Sequence, residues 1–201
     1  MSDWIIGFIT DNGYLGIFLM MLAENVFPPI PSELIMPFAG FAAARGDLDL
    51  WGVLVAGLLG SLAGTLPWYV AARALGLERL KWLADRFGRL ATLNSADIDE
   101  ANAWFTRYGR WAVLFGRLIP AIRTLISVPA GLVAMPFGLF LAVSAVGSLI
   151  WTAFLTGLGY VLADNYERVE AWIDPATKLV VAILVLVYLY RFITWKRPAR
   201  N

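Results

Sequence analysis

A chain of 201 residues and 22.2 kDa could form one or two soluble domains, but 60% of this one is hydrophobic and only 15% is charged. Ordinary globular proteins carry about 25% charged residues, so the solvent for this chain is the bilayer. A net charge of +1 excludes the concentrated basic footprint that nucleic acid requires, and the lack of any His or Cys excludes disulfides, thiol nucleophiles, His-ligated metals and histidine-nucleophile phosphatases.

The N-terminal MSDWIIGFIT carries Asp3 instead of a basic region and has no small-residue cleavage site, so no removable signal peptide is expected. Gly13 to Ala23 is an apolar run that stops at Glu24-Asn25-Val26-Phe27-Pro28-Pro29-Ile30-Pro31-Ser32-Glu33, and Leu34 to Ala44 is a second apolar run. Each run is about 16 Å long as a helix, half the hydrocarbon thickness. Pro28, Pro29 and Pro31 cannot share one helix, so the segment 13–45 is predicted to be a re-entrant hairpin, with Ser32 capping the returning arm and Glu33 in its first turn. Residues 51–72 then read as a full span, with Trp51, Trp68 and Tyr69 near its ends and Gly57, Gly60 and Gly64 suited to close packing. Arg45, Asp47 and Asp49 between them read as solvated loop.

Residues 73–110 are polar and predict a connection with an amphipathic interfacial helix over 77–90 and a helix start at Ser95. The next segment, 111–135, again breaks an apolar run at a proline, Pro120, set between Arg117 and Arg123, and predicts a second re-entrant hairpin. A span follows over 137–162, with Gly147, Gly157 and Gly159, and a shorter one over 179–195. The order hairpin–span occurs twice, and one span separates the hairpins, so they must enter from opposite faces. The predicted fold class is therefore an all-α integral membrane protein, a single polytopic domain over 1–201. Two re-entrant hairpins in an inverted repeat of halves 13–75 and 111–162 combine with three long transmembrane helices, one within each half and one at 179–195. The connection 73–110 holds seven Lys/Arg against five Asp/Glu, and the tail adds Arg191, Lys196, Arg197 and Arg200. The positive-inside rule thus puts both in the cytoplasm and the acidic connection after residue 162 outside.

Charges within membrane segments cost about 2.5–3.5 kcal/mol each on insertion scales, so Glu24, Glu33, Arg117 and Arg123 each require a reason. Carboxylates beside unwound carbonyls suit a cation or a proton. Guanidinium groups stay charged and fit phosphate oxygens bidentately, so Arg117 and Arg123 suit a phosphorylated headgroup whose tail remains in lipid. Two blander uses fit the same pattern: the four charges tie the hairpins together, or they snorkel from interfacial hairpins to water.

Glu24-Asn25-x-x-Pro28-Pro29-x-Pro31-Ser32-Glu33 and Gly116-Arg117-x-x-Pro120-x-x-Arg123-Thr124, followed by Ala130-Gly131, Met135, Trp151 and Gly157-x-Gly159-Tyr160, resemble the two signatures of the DedA family. These are the bacterial members of the SNARE-associated or VTT-domain proteins, and the resemblance covers most of residues 13–162. It implies a bacterial inner-membrane protein, multi-pass with a cytoplasmic C-terminus, that moves lipid across the bilayer. Undecaprenyl phosphate is the leading substrate and phosphatidylethanolamine an alternative, and the transport depends on a proton or sodium gradient. It also implies reliance on Glu24, Glu33, Arg117 and Arg123. One departure stands out: many members carry an acid in the glycine-rich part of the first long span, where this chain reads Gly64-Thr65-Leu66-Pro67-Trp68-Tyr69. Coupling here must then use Glu24 or Glu33, or be absent.

The expectation is a carrier, not an enzyme, moving a phosphate-headed lipid toward the cytoplasm. It would use no cofactor beyond a coupling H+ or Na+ and no nucleic-acid partner, with a homo-oligomer left open. Arg117 and Arg123 would bind phosphate, while Glu24 and Glu33 would gate or couple at a shared polar site near mid-membrane. A small-cation antiporter and a non-transporting scaffold are the alternatives.

Overall fold

The computed structural model describes residues 2–26, 32–82, 95–120 and 122–162. Among the described residues the bounded helices are, in order, α1 Ser2–Val26, α2 Ser32–Ala44, α3 Leu50–Leu75, α4 Ser95–Gly116, α5 Ser127–Leu132 and α6 Phe137–Val161. Three stretches, Trp4–Val26 within α1, Leu50–Leu75 and Phe137–Val161, are long and apolar enough to cross a membrane. The chain is thus an all-α, multi-helix membrane protein. The spans predicted at 51–72 and 137–162 are α3 and α6. The one predicted at 179–195 lies outside the described residues, as do Pro28, Pro29 and Pro31 and most of the amphipathic stretch 77–90, of which 77–82 is helical.

Two boundaries differ from the prediction. The sequence places the first half-helix at Gly13, but helix begins at Ser2 and Gly13 interrupts it, at φ 55° and ψ −129°. That conformation is open to glycine because no Cβ meets the backbone. The prediction also separates a polar connection from an apolar arm at residue 111, whereas α4 runs unbroken from Ser95 to Gly116. No proline or glycine pair stands between those residues, so the helix passes from polar to apolar surroundings without a stop.

Close helix packing comes from small residues. A Cβ at Gly60 or Gly64 of α3 would overlap the carbonyl of Phe18 or Leu22 in α1, and one at Gly147 of α6 would lie 2.7 Å from Cβ of Arg117. A Cβ at Gly40 of α2 would strike the Thr156 carbonyl of α6, one at Gly159 the Pro37 carbonyl, and one at Gly131 of α5 the Tyr69 carbonyl of α3. Gly157 meets nothing within 4 Å, so the packing role expected of it from sequence belongs to its neighbours. The resulting contacts are crossed: α1 packs on α3 and α4 on α6, while α2 packs on α6 and α5 on α3. Where α3 and α6 meet, Ser61 donates its hydroxyl to that of Ser148 at 3.3 Å.

Asp49, read from sequence as solvated loop, caps α3. Its carboxylate accepts from the Gly52 N–H at 2.9 Å, and its own N–H donates to the Tyr14 hydroxyl at 2.7 Å. On the other side of the molecule, Lys81 reaches Asp99 at 2.6 Å and ties the helical stretch after α3 to the start of α4.

Candidate functional site

The site forms where the end of α1 meets the turn between α4 and α5. Glu24 lies in the last turn of α1, and its Oε1 is ion-paired with Nη2 of Arg123 from the turn. Both are shut away from solvent, with Glu24 3% and Arg123 6% exposed. A buried ion pair is held by its geometry: breaking it from one side leaves an uncompensated charge and costs about 3–5 kcal/mol. The other carboxylate oxygen of Glu24, Oε2, is buried and has no hydrogen-bond partner among the described residues. The Arg123 guanidinium also stands 5.9 Å from the ring centroid of Trp151 in α6, a cation–π distance.

Arg117 does different work. It is 2% exposed and follows directly on α4. Its Nη1 donates to the Arg123 carbonyl at 2.8 Å, and its Nη2 donates to the hydroxyls of Ser127 in α5 and Ser144 in α6, at 2.9 and 3.3 Å. The Phe140 ring lies 5.8 Å below it. One planar fork thus joins the end of α4, the turn, the start of α5 and the flank of α6. The sequence pointed to Arg117 as a phosphate ligand; the structure occupies three of its donor contacts with protein acceptors.

Glu33 sits in the first turn of α2, half-buried, and forms no ion pair with either arginine among the described residues. Ser32, predicted as a cap, is the first helical residue of α2, and its hydroxyl accepts from the Trp151 indole at 3.4 Å. Pro120 is exposed in the turn between the arginines. Three of the four charges therefore meet, through one ion pair and one side chain–carbonyl bond, and Glu33 makes no ion pair with them among the described residues.

Sequence reading missed the partners that hold this site. Ser127 and Ser144 carry no motif of their own, and only their burial among apolar helices marks them. Asn25 donates to the Met21 carbonyl at 2.9 Å while its own carbonyl accepts from the Trp68 indole at 2.8 Å, which fixes the end of α1 on α3. The Tyr69 hydroxyl and Arg73 Nη1 both donate to the Met135 carbonyl, at 2.5 and 2.9 Å. That carbonyl follows Ala134, whose φ of 51° is costly for a residue with a Cβ. One signal was legible and overlooked: Gly60-Ser61-Leu62-Ala63-Gly64-Thr65 and Gly147-Ser148-Leu149-Ile150-Trp151-Thr152 share Gly, Ser, Leu and Thr at the same four places.

These features define a multi-pass membrane protein with a buried carboxylate–guanidinium junction between two broken segments. Residues 30–161 match the VTT domain, and the chain belongs to that family, which includes the DedA membrane proteins. An "Alkaline phosphatase-like protein" of Lactococcus lactis is 40% identical over 190 residues, covering 94% of this chain and 89% of that one. "Undecaprenyl phosphate transporter A" of Staphylococcus aureus is 34% identical, with 94% of each chain covered. The protein of the same name from Bacillus subtilis is 29% identical, covering 97% of this chain and 94% of that one. No solved structure matches the chain.

Proposed function

We propose that the chain is a carrier of phosphate-headed lipid, undecaprenyl phosphate before phosphatidylethanolamine, in a bacterial inner membrane. The observation that carries the reading is the buried Glu24–Arg123 pair. Two relatives named as undecaprenyl phosphate transporters support it. The phosphatase likeness in the Lactococcus name finds no chemistry here. The sequence has no His or Cys, and the described residues hold no group of three His, Cys, Asp or Glu side chains that could bind a metal.

In the mechanism proposed, an incoming phosphate competes with Glu24 for Arg123, and the guanidinium exchanges one oxyanion for another without being left bare. The displaced carboxylate then takes up a proton or sodium ion, for which the unpartnered Oε2 is the open position. Position 65 cannot serve, because Thr65 is a buried hydroxyl that donates to the Leu62 carbonyl at 2.7 Å. Arg117 contributes by shaping the turn that presents Arg123. Glu33, half-buried at the start of α2, is the second carboxylate within reach of the membrane and the reserve coupling group. The segments around 13–45 and 111–135 act as opposed re-entrant hairpins of an inverted repeat, a reading supported by the crossed contacts of α2 and α5 and by the repeated Gly-Ser-Leu-x-x-Thr.

The test is flux of labelled undecaprenyl phosphate and phosphatidylethanolamine in liposomes, with and without a pH or sodium gradient. Gradient-responsive flux of the polyprenyl lipid supports the reading. Ion flux with no lipid movement would make the chain an antiporter, and neither flux would make it a scaffold in which the charges are only ties.

A further inference from the structure

On α4, Trp104, Tyr108, Trp111 and Phe115 recur at steps of four, three and four residues, so they share one helix face. All four are exposed, and they meet in pairs, Trp104 and Tyr108 tilted with centroids 5.7 Å apart, Trp111 and Phe115 stacked with centroids 6.1 Å apart. With Ile122, Ile126 and Gly116, the residue before Arg117, they line a groove of about 460 Å³. At 1.5 Å per residue the aromatic ladder is about 16 Å long, half the hydrocarbon thickness. Arg107 and Arg110 lie along the same helix with their guanidinium carbons 5.4 and 5.7 Å from the centroids of Tyr108 and Trp111. Both are exposed, and neither forms an ion pair among the described residues.

We infer that this groove holds the apolar tail of a phosphate-monoester lipid, with Arg107 and Arg110 receiving the phosphate before it moves to Arg123. The inference rests on the carrier function proposed above. The occupant is argued from charge. Two cations with no ion pair among the described residues, beside an apolar trough, suit an amphiphile with a doubly charged head, whereas a zwitterionic phosphatidylcholine brings its own cation. The aromatic rings serve twice, as walls for hydrocarbon and as faces that hold the two guanidinium groups in place.

The test uses the whole protein in phosphatidylcholine vesicles and reads tryptophan quenching by bromine on lipid tails. Brominated phosphatidic acid is compared with equally brominated phosphatidylcholine, and the groove signal is taken as the difference between the native chain and the Trp104→Phe/Trp111→Phe variant. Two basic residues near the headgroups should lower the mole fraction for half-maximal quenching by about tenfold for phosphatidic acid. Arg107→Gln/Arg110→Gln should erase that preference, and unbrominated undecaprenyl phosphate should compete for it. Equal quenching by both lipids would mean that bulk bilayer covers the face, and protection from both in a cross-linkable dimer would mean that a second copy does; either overturns the inference. Flux measured in the same vesicles separates the two proposals. Intact undecaprenyl phosphate flux without preferential quenching overturns the groove alone. Preferential quenching without flux overturns the carrier reading and leaves a phosphate-lipid site.

Discussion

The two broken segments begin alike and end differently. After the first break the chain returns as α2, thirteen residues of helix buried along most of its length. After the second, residues 117–126 run as turns, with Ala121 outside the described residues, and the returning helix α5 has only six residues. The structural counterparts on the outgoing arms show how the shorter segment is held. Met21 lies against Gly60 in the first half, where Arg117 lies against Gly147 in the second. Where the first segment satisfies its backbone as a helix, the second does so through turn bonds such as Arg123 N–H to the Ile119 carbonyl and Ile126 N–H to the Ile122 carbonyl, and the Arg117 guanidinium adds a bond to the Arg123 carbonyl and two to serines. A buried guanidinium can therefore brace a segment built from turns.

The comparison breaks most readily at the junction of the two segments. Arg123→Gln strands a buried carboxylate, so it should abolish lipid flux and lower stability by about 3–5 kcal/mol. The double variant Glu24→Gln/Arg123→Gln should recover most of that stability in thermal unfolding and none of the flux. A double variant as unstable as the single one would show that the pair does not join the segments. The unequal outgoing arms give the next largest effect. Arg117→Lys keeps charge but cannot span three acceptors, and it should cost about 3 kcal/mol, whereas Met21→Leu should cost less than about 1.5 kcal/mol. Equal costs would remove the special role of Arg117.

Smaller effects sharpen the picture of the returning arms. Gly159→Ala and Gly131→Ala force a Cβ into the carbonyls of Pro37 and Tyr69, and each should destabilise by about 1–3 kcal/mol. Gly157→Ala should stay within about 0.5 kcal/mol. The smallest effect is expected at Glu33→Gln, with flux and gradient response changed by less than about twofold because Glu33 has no ion pair among the described residues to lose, while Glu24→Gln should remove the gradient response and leave downhill flux. A Glu33→Gln variant blind to the gradient would move coupling from α1 to α2.

The membrane character, the positions of α3 and α6 and the need of Glu24, Arg117 and Arg123 for partners were legible because composition, span length and the cost of buried charge act locally along the chain. What was illegible depended on distance in sequence. Nothing near Arg117 announces that Ser144 will satisfy it, and nothing near Glu33 shows that it will miss the arginines. The end of α4 was misplaced because residue 111 marks a change of surroundings, which a helix can cross without altering its backbone. The capping role of Asp49 was missed because a loop acid and a cap look alike until the next turn is in place.

The bond between Ser61 and Ser148 has a consequence for ancestry. The two hydroxyls belong to the same place in the repeated Gly-Ser-Leu-x-x-Thr, so the crossing of α3 and α6 presents one residue to its own counterpart. On the inverted-repeat reading proposed above, such a self-complementary contact would be that of a two-fold dimer interface enclosed within one polypeptide. A forebear encoding only one half would have met a second copy of itself through that serine. Duplication and fusion would then have freed the two halves to diverge, leaving Met21 on one side and Arg117 on the other.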